Sequence, residues 1–288
     1  MITRRDFLAG AVVGLGAGTQ WAARLPANPY DKPIGLQLYT LRNELGNDLA
    51  GTLRKVARIG YKEVEIVDFY GKDSRQTREL LQDQGLTAPS AHYQIGQIES
   101  NWDKQIDYAR EIGLKFMVSA IVPADRRDSL DHYMRLADLF NKAGEKAQQA
   151  GIQFCYHNHN FEFKVFGDTT PYEYLLKATD PKLVNFEMDC FWVTHAGRDP
   201  VEYFTKHPGR FPLLHIKDLK AGNPPTTDFD SRVGLFAEVG NGTIDWKRIF
   251  VAAPKGGMTH YYVEQDRCEM PPIESVKISY NYLHNLKL

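Results

Sequence analysis

Cysteine is scarce in this chain, with three in 288 residues, at positions 155, 190 and 268. The number is odd and no pair has C-x-x-C spacing, so neither a disulfide framework nor a structural zinc knuckle is indicated. The three read as small buried hydrophobes. No charge of one sign is in excess either. Lys and Arg number 35 against 36 Asp and Glu, for a formal net charge of -1, which advertises no basic face for nucleic acid or an anionic membrane. The N-terminal apolar run, "LAGAVVGLGAG", is too short and too rich in glycine to span a bilayer stably. The turn after the first strand candidate, "LYTLRNELG", lacks the G-x-G-x-x-G pattern, which argues against a doubly wound dinucleotide-binding sheet.

What is present begins with Arg4 and Arg5, with Phe7 two positions on and then the uncharged run. This reads as a twin-arginine export signal, with an ordinary amphipathic helix as the alternative. Residues 1–27 are therefore set apart as a signal peptide and residues 28–288 as one domain, expected in the periplasm or otherwise exported.

From Ile34 onward one pattern recurs: a short apolar or alternating run, then a capped helical stretch. "IGLQLYTLR" reads as a strand and "DLAGTLRKVARIG" as a helix entered at Asp48 and left at Gly60. "EVEIV", "TAPSAHY", "FMVSAIV", "QFCYHNH", "VNFEMDCFWV", "FPLLHIKDL" and "HYYVEQD" supply the remaining strands, with helices expected from Asn101, Ser129 and Pro272 among others. Eight strand-helix units in strict alternation predict a closed parallel (β/α)8 barrel, a TIM barrel of one domain.

Strand residues alternate faces, so the apolar set should meet the helices and the other set the barrel lumen. This parity puts Gln37, Tyr39, Glu65, Ser90, His92, Ser119, His157, His159, Glu187, Asp189, His215, Lys217, Glu264 and Asp266 inside. Burying that many polar groups costs roughly 1–3 kcal/mol for each left unpaired. Such a lumen calls for water, a metal ion or a hydroxylated ligand. Each residue alone also has a plainer reading, as a hydrogen-bonded core group. "VGNGT" can be a phosphate-binding turn or one capped by Thr243. Clustering singles out Glu162, Asp189, His215 and Glu264, at or just past the C-terminal ends of strands five to eight, where barrel active sites assemble. Three carboxylates and an imidazole around an open position suit one divalent ion, Mn²⁺, Mg²⁺ or Zn²⁺.

At these residues the sequence resembles the xylose isomerase-like barrel superfamily. The pieces that carry the resemblance are "YHNHNFEF", "NFEMDCFWV", "LLHIKD", "EVGNGTIDW" and "YYVEQD", in family order over residues 34–288. The resemblance implies Asp189, His215 and Glu264 as ligands. At strand five it implies a glutamate near His157, where this chain departs, so Glu162 is taken as the ligand with His157 as its competitor. Trp192 stands where many relatives carry histidine and is expected to stack on a sugar face.

The implied activity is that of a metal-dependent sugar isomerase or epimerase, which removes a proton beside a carbonyl of an unphosphorylated sugar or keto-sugar. Glu162 and Glu264 are expected as acid and base, with Lys217 or His157 supporting the oxyanion. Tyr39, His92, His159, Trp192 and Asp266 are expected to contact the sugar. A 3-keto-glycoside lyase or hydrolase on the same site is the alternative, and a sugar-binding protein without catalysis a weaker one. No nucleic acid partner, and no membrane partner after signal removal, is expected. Oligomeric state is left open.

Overall fold

The computed structural model describes residues 32–288, so the signal reading of residues 1–27 lies outside the described residues. In chain order the strands are β1 (Gly35–Gln37), β2 (Glu63–Ile66), β3 (Thr87–Tyr93), β4 (Phe116–Ser119), β5 (Gln153–His157), β6 (Val184–Asp189), β7 (Leu213–Ile216), β8 (Asp218–Leu219), β9 (Phe236–Ala237) and β10 (His260–Val263). Eight of them close a parallel barrel in the order β1-β10-β7-β6-β5-β4-β3-β2. β8 and β9 form a separate antiparallel ribbon. The expected (β/α)8 barrel is therefore the architecture found. "FPLLHIKDL" is not one strand, because β7 stops at Ile216 and the chain past Lys217 turns to pair with β9.

The helices follow from local chemistry. Asp48 caps the helix Leu49–Ile59 by accepting from Gly51 N–H at 2.9 Å, and Leu53 and Val56 bury its inner face. It ends at Gly60, whose φ is +129° and where a Cβ would sit 2.3 Å from the Tyr280 hydroxyl oxygen. Only glycine meets both demands. The helix predicted to begin at Asn101 runs instead over Ile95–Ile112, because Gln94 and Gln97 form a capping box upstream, and Asn101, with φ of -148°, kinks it.

The core has two compartments. Between barrel and helices lie side chains such as Leu36, Val64, Met117, Phe154, Phe186, Met188, Leu214 and Tyr261. Inside the lumen, Val118, Cys155, Leu213 and Tyr262 form an apolar plug. β4 corrects the parity reading: Phe116 and Val118 belong to the lumen set, so Ser119, which pairs with Tyr93, faces the helices. β4 thus gives the lumen no polar side chain.

Candidate metal centre

Above the plug lies a ring of acids and bases that satisfy one another. Glu65 Oε2 accepts from Gln37 Nε2 at 2.6 Å and lies 2.7 Å from His215 Nε2 and 3.1 Å from His92 Nε2, while Ser90 donates to Glu65 Oε1. Glu187 Oε2 lies 2.6 Å from His92 Nε2, 3.1 Å from His157 Nδ1 and 3.2 Å from His215 Nε2. Gln37, Glu65, Ser90, His157, Glu187 and His215 are buried, and the His92 ring is nearly so. Burial disfavours a charged His92, but Glu65 and Glu187 outweigh it and raise the imidazole to about 9. Parity found these residues. It could not reveal that the lumen balances much of its own charge through alternating acid and base.

This ring fixes the histidines of the layer above. With His157 Nδ1–H given to Glu187, its Nε2 faces Asp189 Oδ2 at 3.7 Å. With His215 Nε2–H given to Glu65, its Nδ1 lies 2.8 Å from Glu264 Oε2 and 3.8 Å from Asp189 Oδ2. The four potential donor atoms of His157, Asp189, His215 and Glu264 all lie within 4.8 Å of one another. Bonds of about 2 Å to one ion bring ligand atoms to roughly 3–4 Å separation. Carboxylates behind metal-binding imidazoles are the usual means of setting tautomer and ring direction.

The donor set fits a divalent ion on three further observations. Asp189 Oδ1 caps the helix Cys190–His195 by accepting from Trp192 N–H at 2.9 Å, which turns Oδ2 toward the cluster, where it is buried with the Lys217 ammonium at 3.0 Å as its partner. Burial and neighbouring cations push His157 well below its ordinary value, leaving it the neutral imidazole a metal requires. Burial opposes ionisation of Glu264, but Lys217 and His215 outweigh it and hold the group below the usual carboxylate range. At His215 burial is likewise outweighed, by Glu187 and Glu264, which raise the imidazole, so a divalent ion would have to displace its Nδ1 proton. Asp189 is raised by burial to about 6, against the pull of Lys217 and His215. His92, His157, Glu187 and His215 form a second quartet at similar distances. Its atoms pair within the ring, whereas in the Asp189 set His157 and Glu264 line the cleft above.

Lys217 stands over the cluster, its ammonium 3.0 Å from Asp189 Oδ2, 2.7 Å from Glu264 Oε2 and 2.8 Å from Asp266 Oδ1. The cleft above, about 290 Å³, is lined by Tyr39, His92, His157, His159, Lys217, Glu264 and Asp266, with Gln94, Ser231 and apolar side chains completing it. Seven of the residues expected at the site therefore meet in one cavity. His159 presents a buried Nδ1 with no hydrogen-bond partner, and burial holds its imidazole neutral.

Two expectations come out differently in place. Glu162 is not among the clustered donors. It lies in the 3-10 turn Phe161–Phe163, where its Oε1 accepts from the Tyr156 hydroxyl and its Oε2 from His159 N–H at 2.9 Å. Tyr156 points to the helices, so Glu162 buttresses the strand end from outside the lumen, and His157 takes the fourth corner. Trp192 is fully buried behind the cleft, its ring centre 5.6 Å from that of His159 and 5.3 Å from that of Phe229. Its face is spent on the wall rather than offered to a sugar. The "VGNGT" donors are also spent: Gly240 N–H, Ile244 N–H and the Trp246 indole all donate to the Asp218 carboxylate, and Asp245 caps the next helix.

Glu162 yields a first prediction. Burial raises its carboxyl from 4.5 to about 7, against the lowering effect of the Tyr156 hydrogen bond. The folded state thus holds the proton more tightly than the unfolded chain, so this contribution to stability is full below pH 4.5 and is lost as pH rises to about 7. Glu162→Gln should retain one metal ion per chain and lack this loss, so that wild type declines relative to the variant by on the order of 3 kcal/mol across that window. Thermal melts against pH, with metal analysis, check both parts; loss of metal would return Glu162 to the coordination sphere.

Comparison with known proteins agrees with the barrel fold. A family model described as "Xylose isomerase-like TIM barrel" matches residues 53–283. An inosose dehydratase of Lacticaseibacillus casei is 24% identical over 272 residues, covering 83% of this chain and 91% of that protein. The crystal structure of a sugar phosphate isomerase/epimerase from Parabacteroides distasonis superposes with a TM-score of 0.74 at 30% identity, over 88% of this chain and 94% of that one. The IOLI protein, whose crystal structure carries a zinc atom, shares the fold at a TM-score of 0.69 and 14% identity, over 86% and 95% of the two chains.

Proposed function

The chain belongs to the xylose isomerase-like TIM barrel family, and within it we propose a divalent-metal-dependent lyase that eliminates a substituent from the carbon β to the carbonyl of an unphosphorylated keto-sugar, keto-polyol or keto-glycoside. The observation that carries this reading is the asymmetry of the cleft. Isomerisation or epimerisation through a pair of carboxylates needs one on each side of the reacting carbon. Here the strand-five corner is His157, and Glu162 is engaged by Tyr156 and His159 outside the lumen. Glu264 is left without a carboxylate opposite.

The cleft has instead a neutral imidazole with an unpartnered nitrogen, His159, and an ammonium, Lys217, hydrogen-bonded to Asp266 at 2.8 Å. Elimination calls for such unlike partners. A divalent ion held by His157, Asp189, His215 and Glu264 supplies Lewis acidity at a carbonyl oxygen. The His159 imidazole takes the proton from the carbon beside the carbonyl. The electron pair of that C–H bond becomes the new C=C bond as the adjacent C–O bond breaks. Lys217 Nζ gives its proton to the departing oxygen, which leaves as water or an alcohol. The dehydratase activity named for the Lacticaseibacillus relative points the same way. Export, as read from residues 1–27, is part of the proposal and favours substrates without phosphate.

The test is product identity. Metal-loaded protein incubated with 3-keto-glycosides and ketoses should release the substituent and leave an unsaturated ketone lighter by that alcohol or water. Conversion to an epimer or isomer of unchanged mass would support the epimerase reading instead.

A further inference from the structure

The loop between β8 and β9 forms part of the cleft, to whose lining it brings Phe229 and Ser231. Its neck is tied within itself. Lys220 N–H donates to the Leu235 carbonyl at 3.0 Å, Asn223 Nδ2 bridges the Lys220 and Gly234 carbonyls at 2.9 and 3.1 Å, and Arg232 donates to Asn223 Oδ1 at 2.7 Å. The tip, from Pro224 to Ser231, has neither helix nor strand. Among the described residues, its hydrogen bonds to the barrel gather at one place. Asn160 Nδ2 donates to the Thr226 carbonyl at 3.0 Å and to the Asp228 carbonyl at 2.9 Å, and Thr226 N–H donates to the His195 carbonyl at 2.8 Å.

Asn160 is fully buried, yet its Oδ1 has no hydrogen-bond partner and its amide nitrogen gives both bonds to the loop. An apolar side chain would fill that space without desolvating an amide, so the polar atoms of Asn160 serve the loop rather than the strand end that carries them. The two carbonyls facing the amide also fix which way it points. Beside this fastening, the Phe229 ring stands edge-on to those of His159 and Phe161, at 5.3 and 5.7 Å between centres, and lies 5.3 Å from that of Trp192. His159 directly precedes Asn160, so the fastening and the imidazole that lines the cleft belong to one short segment.

We propose that the β8–β9 loop is a lid over the cleft and that Asn160 is the positioning residue that latches it, setting Phe229 against the His159 imidazole. A segment without regular structure, fastened at few points, opens at low free-energy cost, as a lid must. The role given to His159 rests on the lyase reading; the latch is tested apart from it. Tryptic cleavage of the native protein at Arg232 should rise at least ~10-fold in Asn160→Ala while cleavage on the far side of the barrel stays unchanged, because proteolysis follows the population of the open loop. Phe229→Ala, at a half-exposed position that leaves the core intact, should move cleavage at Arg232 the same way. In turnover of a 3-keto-glycoside, kcat should fall and KM rise together in both variants, and the double variant should be no worse than Asn160→Ala alone. A purely structural role would lower the active fraction and leave KM unmoved. If no keto-sugar is converted but cleavage at Arg232 still accelerates in both variants, the lyase reading fails and the lid stands. Cleavage at Arg232 unchanged in both variants, an unmoved KM, or additive effects in the double variant would overturn the latch.

Discussion

His157→Ala is expected to empty the metal centre and lower turnover by on the order of 10³-fold, the loss of several kcal/mol of Lewis-acid stabilisation. His157 faces Asp189 through Nε2 and is oriented from behind by Glu187, so its removal deletes a corner and leaves Glu187 short of a partner. The barrel should survive, because the residues packing helices on strands are untouched. The fall should be recovered in part by high metal concentration. Metal content and kcat measured together separate this from misfolding, which no metal would rescue. A variant that keeps both metal and activity would remove His157 from the centre.

His159→Gln is expected to retain metal and lose ~10²- to 10⁴-fold in kcat, the range for removing a general acid or base. The side chain lines the cleft and packs against Phe161, so an amide of similar reach preserves packing while lacking a basic nitrogen. Exchange of the substrate C–H with deuterated solvent should fall in step with kcat. If exchange persists at the wild-type rate while product formation falls, His159 acts after proton removal, and another group is the base.

The barrel was legible because its signals are local and repeated: capping residues such as Asp48, glycine stops such as Gly60, and period-two strands. The lumen was legible for the same reason over most of its circumference, and Asp189, His215 and Glu264 come together as the strand ends require. Legibility stopped where the strands stop. Glu162 and Trp192 lie in a 3-10 turn and a short helix beyond β5 and β6, where alternation says nothing of direction. Parity placed Ser119 wrongly because the polar residue at the end of "FMVS" drew the register, while Phe116 and Val118 in fact take the lumen face. Glu65 and Glu187 were placed inside correctly, but their work as partners of His92, His157 and His215 depends on contacts between residues up to 150 positions apart, which no local pattern encodes.

The choice between His157 and Glu162 decides the chemistry, since a carboxylate at that corner would restore the symmetric pair that epimerisation uses. The most direct measurement is an anomalous-difference map from crystals grown with Mn²⁺ or Zn²⁺. The account predicts one peak at about 2 Å from His157 Nε2, Asp189 Oδ2, His215 Nδ1 and Glu264 Oε2, with Glu162 still on Tyr156 and His159. A peak coordinated by Glu162 with His157 turned away, or none within reach of these four atoms, would contradict it.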